Sequence, residues 1–229
     1  MHYQLPHAVN LYKTPALEGL VTQAQAGRYL KQVPAIADIP QPLDQSAISV
    51  CLCEDDYPGW LPFVDWQQRV QAATLYEAPI LTEATVRARV PRAIAFTQQA
   101  MAQPNQYLWG GTVGPNYDCS GLMQTAFASV GIWVPRDAYQ QEAFVPAIDL
   151  QDLQPGDLVF FGTPTKATHV GLYLGDGRYI HSSGKDQGRN GIGIDVLSEQ
   201  GDHISQAYYR QLRGAGRVVA SYQPIAASE

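Results

Sequence analysis

Basic residues and sulfur are both scarce in this chain of 229 residues. Fifteen Lys plus Arg stand against 21 Asp plus Glu, giving a formal net charge of −6. No stretch concentrates the basic side chains, so the sequence carries no nucleic-acid footprint. The acidic balance favours solubility and does not name a partner. The three cysteines, Cys51, Cys53 and Cys119, are odd in number and too few for a disulfide framework. No segment approaches the roughly 20 apolar residues needed to cross a bilayer, which excludes a helical membrane span. The opening Met1-His2-Tyr3-Gln4-Leu5-Pro6 lacks the basic start and apolar run of a secretory signal. Together these absences predict a cytoplasmic protein in a reducing setting with no membrane partner; a monomer is expected, although nothing in the sequence fixes the oligomeric state. Apolar residues make up 45% and charged residues 16%, enough to bury a sizeable core. At about 150 residues per domain, one large domain or two small ones fit.

The first ~70 residues are dense in proline and short apolar stretches. Residues 7–13, 26–33 and 47–53 read as strands, punctuated by Pro15, Pro34, Pro40, Pro42, Pro58 and Pro62. Such spacing predicts a small β-barrel, with a further strand-like run from Pro62 to Trp66. Cys51 and Cys53, two apart, share a strand face and read as core. Residues 71–84 read as a connection. A helix follows from Thr85 to Ala102, kinked or started at Pro91. The remainder mixes helices and strands, with residues 217–220 as a last strand and a disordered tail from Gln223.

Chemistry first enters at residues 107–127. Three glycines and a proline ahead of Asp118 make a loop, and Leu122, Ala126, Phe127 and Val130 then recur at helical spacing. Asp118 is therefore a natural N-cap, which puts Cys119 in the first helical turn. Helix N-termini favour anions, so this position predicts a lowered thiol pKa. A small buried cysteine is the alternative there.

Residues 168–182 read as a hairpin around Gly175-Asp176-Gly177. With a three-residue loop and Gly177 in the left-handed conformation, Tyr173 faces Tyr179, Gly171 faces His181, and His169 shares a face with His181. A two-residue Asp-Gly turn would put the imidazoles on opposite faces. Cysteine at a helix start with two co-facial histidines is the equipment of a thiol hydrolase, in which the nearer histidine takes the thiol proton. The oxyanion donor is the Cys119 N–H or the Tyr107 hydroxyl. Zinc held by Cys-His-His is the competing reading, but no short ligand pair accompanies it, and no metal or other cofactor is expected.

Five stretches occur in order: Tyr107-Leu-Trp-Gly-Gly, Asp118-Cys-Ser-Gly-Leu122, residues 153–161 (Leu-Gln-Pro-Gly-Asp-Leu-Val-Phe-Phe), His169-Val-Gly-Leu-Tyr and Tyr179-Ile-His181. Their combination resembles the NlpC-type cell-wall cysteine peptidases over residues 86–219. The resemblance implies an α+β fold, with an SH3-like barrel at 1–70 and a papain-like domain of helices on an antiparallel sheet at 85–229. It implies Cys119 as nucleophile, His169 as base, His181 as the orienting third member and Tyr107 near the oxyanion. His203 lies outside the motif and reads as surface.

Members with such a barrel and no leader are similar to γ-D-glutamyl-L-diamino acid endopeptidases of wall recycling. In these the barrel closes one end of the cleft around a short muropeptide with a free N-terminal L-Ala. By this resemblance Asp118 binds the ammonium, helped by Tyr57 and Asp56 from the Glu54–Tyr57 loop and by the Ser120 hydroxyl. A solvated acidic loop is the alternative for that cluster. Arg136 either meets a substrate carboxylate or ties its loop to the body. An amidase or acyltransferase on the same core, or a wall-peptide binding module with an inert thiol, are the competing functions.

Overall fold

The computed structural model describes residues 1–36, 39–40, 42 and 46–225. Strands β1 (His2–Gln4), β2 (Val9–Tyr12), β3 (Leu20–Ala24), β4 (Tyr29–Gln32), β5 (Ala35–Ile36), β6 (Ile39–Pro40), β7 (Ala47–Leu52) and β8 (Pro58–Pro62) open the chain, followed by helix α1 (Phe63–Arg69) and strand β9 (Gln71–Ala73). Except for the β5–β6 pair, these strands form one seven-stranded sheet in the order β3-β2-β8-β7-β4-β1-β9. Leu5, Leu11, Leu30, Val50, Leu52 and Leu61 fill its interior. The strands expected at 7–13, 26–33 and 47–53 are present in trimmed form.

Two expectations for this part are corrected. The run after Pro62 is helical: Phe63 and Trp66 are three apart, Asp65 pairs with Arg69 one turn on at 3.0 Å, and Trp66 packs on Tyr3 at 4.7 Å. The segment read as a connection also contributes β9, which pairs with β1 and extends the first sheet to Ala73.

Helix α2 (Glu83–Met101) starts at Thr82, whose side chain accepts from Thr85 N, and runs through Pro91. Helices α3 (Cys119–Ala128) and α4 (Ala138–Phe144) precede strands β10 (Ala147–Ile148), β11 (Leu158–Thr163), β12 (Lys166–Gly175), β13 (Arg178–Ser183) and β14 (Gly191–Val196), helix α5 (His203–Tyr209) and β15 (Leu212–Gly216). The second sheet is antiparallel, ordered β10-β15-β11-β12-β13-β14. Its central strand is buried on both faces. Leu158 and Phe160 pack with the α2–α4 side chains, while Val159 and Phe161 pack with Ile204 and Tyr208 of α5. The last strand is Leu212–Gly216 rather than 217–220, because β15 must lie beside β11 and Arg217 instead turns to the Asp157 carboxylate at 2.7 and 2.8 Å.

Of the tail expected to be disordered, residues 226–229 lie outside the described residues. Gln223 donates to Pro79 O, and Ile225 N donates to Asp56. Among the described residues no helix is long and apolar enough to cross a membrane.

Candidate active site

Helix α3 begins where the sequence places it. The Asp118 carboxylate accepts from Gly121 N at 2.6 Å, so Cys119 is the first helical residue. Gly121 is required at that point: a Cβ would come within 2.0 Å of Gly111 O, where the glycine loop closes over the helix start. The backbone N–H groups of Ser120 and Val170 both favour the thiolate form of Cys119, which puts its sulfur beside β12 at the residue following His169. The expected fall in thiol pKa is nevertheless overturned. Burial, followed by the neighbouring Asp118 charge, pushes Cys119 up to about 12.

The two imidazoles share a face as expected. Leu172 pairs with Ile180 and Tyr173 with Tyr179, but Gly175 pairs with Arg178, so the turn is the two-residue Asp176-Gly177. Both turn residues have positive φ, and a bulge between Tyr173 and Gly175 restores the register that the short turn would have shifted. His169 Nε2 lies 2.7 Å from His181 Nδ1, and His181 Nε2 lies 2.6 Å from Asp195 Oδ2. Tyr208 stacks on the His169 ring at 4.4 Å.

These contacts fix the tautomers. A carboxylate only accepts, so His181 donates from Nε2 to Asp195 and presents a bare Nδ1. His169 then donates from Nε2 to His181, which leaves its Nδ1 as the one basic nitrogen. Burial, and next the His181 ring, hold His169 well below the ordinary histidine value; burial also lowers His181, against the pull of Asp195. Both shifts favour the uncharged thiol and the uncharged imidazole, so the proton moves during attack.

Asp195 is a site residue that the sequence reading missed. Its signal is a lone acid in the alternating Gly191–Val196 run, at a position buried between His181 and Arg189. Asp195→Asn is expected to lower kcat roughly 100-fold with little change in KM. A carboxamide nitrogen facing His181 reverses the tautomer chain; measured in the chymotrypsin-type triad, the corresponding change one link closer costs about 10⁴. Steady-state kinetics at fixed pH measures this.

Cys119 opens into a cavity of about 550 Å³ lined also by Tyr107, Trp109, Asp118, Ser120, Arg136, Asp137 and, from the first sheet's half of the chain, Lys13, Val21 and Tyr57. Tyr107, Trp109 and Thr168 separate it from a neighbouring cavity of about 240 Å³ that reaches His169, Asp186 and Gln211. Burial first, then Cys119 and Asp118, raises the Tyr107 phenol above its ordinary value and keeps it a proton donor. Another cavity, of about 290 Å³, beside Arg28 and Trp133, is lined by no cysteine or histidine. Among the described residues no group of three His, Cys, Asp or Glu could hold a metal ion.

The structure redistributes the residues expected to bind substrate. Tyr57 reaches the cavity and donates to both Asp137 oxygens at 3.3 and 3.4 Å. Asp56 does not reach it; its carboxylate meets Lys31, Tyr222 and Ile225 N, because Asp56 takes a positive φ that turns it away. Glu54 and Asp55 are neither solvated nor in the cleft. They are buried around Arg28 at 3.1 and 2.8 Å.

Arg136 is 1% exposed and donates to Asp118 at 3.1 and 2.6 Å, to Ser120 Oγ at 3.0 Å and to Thr22 Oγ1 at 2.9 Å. It ties its loop to the helix start and to β3. With Gly110 N, Gly121 N and Ser120 Oγ also donating to it, both Asp118 oxygens are engaged inside the protein. Asp118 lines the cavity with its oxygens held by these donors, and Asp137, which the sequence reading passed over as a site residue, lines it too, meeting Tyr57 and the Gln140 N–H at the start of α4. Cys51 and Cys53 are buried in the first half, as expected, and His203 is exposed.

Residues 104–213 match the NlpC/P60 family, and residues 11–63 match the bacterial dipeptidyl-peptidase SH3 domain. A γ-D-glutamyl-L-lysine dipeptidyl-peptidase of Bacillus cereus is 44% identical over 79 residues, which is 33% of this chain and 24% of that protein. The Bacillus subtilis protein of the same name is 39% identical over 95 residues, 40% of this chain and 30% of that one. The match thus spans only about a quarter to a third of these relatives. A crystal structure of an NlpC/P60 family protein from Bacillus cereus, 18% identical, superimposes with a TM-score of 0.66 over 96% of this chain and 100% of that one, a likeness of fold. The chain thus carries an NlpC/P60 domain, which holds the helix-capped cysteine and the histidine relay, behind a bacterial SH3 domain.

Proposed function

We propose that the chain hydrolyses the amide between γ-D-Glu and a diamino acid, meso-diaminopimelate, in short muropeptides with a free N-terminal L-Ala, as a step in cytoplasmic recycling of wall fragments. The observation that carries this reading is the shared wall of the cleft. Lys13, Val21 and Tyr57 complete the cavity that holds Cys119, and Tyr57 is hydrogen-bonded to Asp137 within it. A cleft ended in this way suits a peptide with two residues before the scissile bond. The Asp137 carboxylate and the accepting lone pairs of the Tyr57 hydroxyl receive the L-Ala ammonium. The diamino acid occupies the smaller cavity on the His169 side, where Asp186 is the one carboxylate.

In the reaction, Cys119 Sγ bonds to the γ-carbonyl carbon as its proton passes to His169 Nδ1. The Tyr107 hydroxyl and the Cys119 N–H stabilise the oxyanion. His169 returns the proton to the amine as the C–N bond breaks. Water then cleaves the thioester, and L-Ala-D-Glu leaves.

Mass spectrometry of L-Ala-γ-D-Glu-meso-diaminopimelate, incubated beside its N-acetylated form, tests this. Release of L-Ala-D-Glu is expected from the free amine at least 100-fold faster, since acetylation leaves Asp137 desolvated and without its cation. Equal cleavage of both peptides would remove the ammonium site, and cleavage of neither would sink the peptidase reading for this substrate.

A further inference from the structure

The cavity around Cys119 contains two lysines that neither the histidine relay nor the ammonium site uses. Lys13 follows β2, and Lys166 opens β12, the strand that carries His169. Among the described residues, no carboxylate lies within ion-pair distance of either. Lys166 is nonetheless held in place: its Nζ sits 4.1 Å from the centre of the Tyr139 ring, and its backbone pairs with Thr163 at the mouth of the β11–β12 hairpin.

We propose that Lys166 binds the free α-carboxylate of the D-Glu residue and so makes the enzyme select D-Glu over its α-amidated form. The inference rests on the acyl-side assignment made above. Charge is the first argument. Arg136 offsets Asp118, so Asp137 faces two lysines and the cavity carries a positive excess. An incoming ammonium alone would enlarge that excess, whereas an acyl group that also carries a carboxylate would not.

Reach is the second argument. Lys166 precedes His169 by three residues, about 10 Å along a strand. The α-carboxylate of a γ-linked D-Glu stands four bonds from the carbon that Cys119 attacks, within the span of a lysine stem directed back along the cleft. Lys166, and not Lys13, is assigned because it lies on the strand of the catalytic base and is fixed by an aromatic ring of the same cavity.

The test is steady-state kinetics on two free-amine tripeptides, L-Ala-γ-D-Glu-meso-diaminopimelate and the same peptide with the D-Glu α-carboxamide. The wild-type protein, Lys166→Met and Lys166→Arg are compared. The native enzyme is expected to prefer the carboxylate peptide about 10- to 100-fold in kcat/KM. Lys166→Met is expected to lose that preference by slowing on the carboxylate peptide alone, and Lys166→Arg to keep most of it. A preference unchanged in Lys166→Met, or an equal loss on both peptides, overturns the assignment. If the wild-type protein cleaves neither peptide, the substrate reading itself fails and the assignment falls with it.

Discussion

Replacing His169 by asparagine is expected to lower kcat about 10²- to 10⁴-fold, the range typical of removing a general base, while KM stays within a few-fold. The cavity at Cys119 is lined by groups other than His169, so substrate binding is expected to survive while proton transfer does not. The same residue governs the acid side of the pH profile. Burial and the adjacent His181 ring hold the imidazole below its ordinary 6.5, so it remains an unprotonated base under conditions where a solvent-exposed histidine is charged. The acid limb of kcat/KM is therefore expected below pH 6.5.

Stability follows with a definite sign. Below 6.5 the unfolded chain takes up protons that the folded His169 and His181 refuse, so stability falls as the pH drops toward their lowered folded values. Each histidine contributes a loss of up to about 1.4 kcal/mol per pH unit within that window. Urea melts at pH 7, 6 and 5 measure it. The His169→Asn protein should show the shallower fall, and an equally steep fall in both proteins would remove His169 from the account.

Replacing Arg136 by alanine is expected to cost about 3–5 kcal/mol of folding stability, the usual penalty for leaving one member of a buried ion pair alone. Asp118 and Arg136 share two hydrogen bonds at 3.1 and 2.6 Å, with little exposure on either side. Without the guanidinium, the carboxylate at the start of α3 keeps its backbone donors but loses its counter-charge. The contact to Thr22 Oγ1 also disappears, which removes one of the polar ties between β3 and the peptidase half. Arg136→Lys should recover only part of the loss, because one ammonium cannot span Asp118, Ser120 and Thr22 at once. Thermal denaturation of the three proteins decides it. A midpoint for Arg136→Ala within a degree or two of the native value would mean that the helix start does not depend on this pair.

The cap and the histidine pair were legible in the sequence because their causes are local. Asp118 before an apolar helical run has few structures open to it, and Tyr173 opposite Tyr179 follows from the chemistry of a Gly-Asp-Gly turn and its flanking alternation. The bulge was not legible. A two-residue turn with a bulge and a three-residue loop give the same register, and choosing between them depends on the sheet that β12 must join.

Pairings across the fold were beyond the sequence for a related reason. Asp195, Asp137 and Lys166 look like ordinary surface acids and bases until β14 sets Asp195 against His181, and the start of α4 and the β11–β12 hairpin bring the other two to the cleft. The Glu54–Asp56 cluster shows the opposite error. Its composition suggests a solvated or ligand-binding loop, yet Arg28, 26 residues away from Glu54, draws two of the acids inward.

What the sequence determined by itself was the local chemistry: which cysteine starts a helix, which histidines share a face, and where strands alternate. Only the tertiary structure decided the charge state and the wiring. Burial outweighs the helix N-terminus at Cys119 and raises its thiol, and Arg136 pairs with the Asp118 carboxylate beside it. Desolvation and ion pairing depend on what surrounds a group in three dimensions, and residues distant in the chain supply those surroundings.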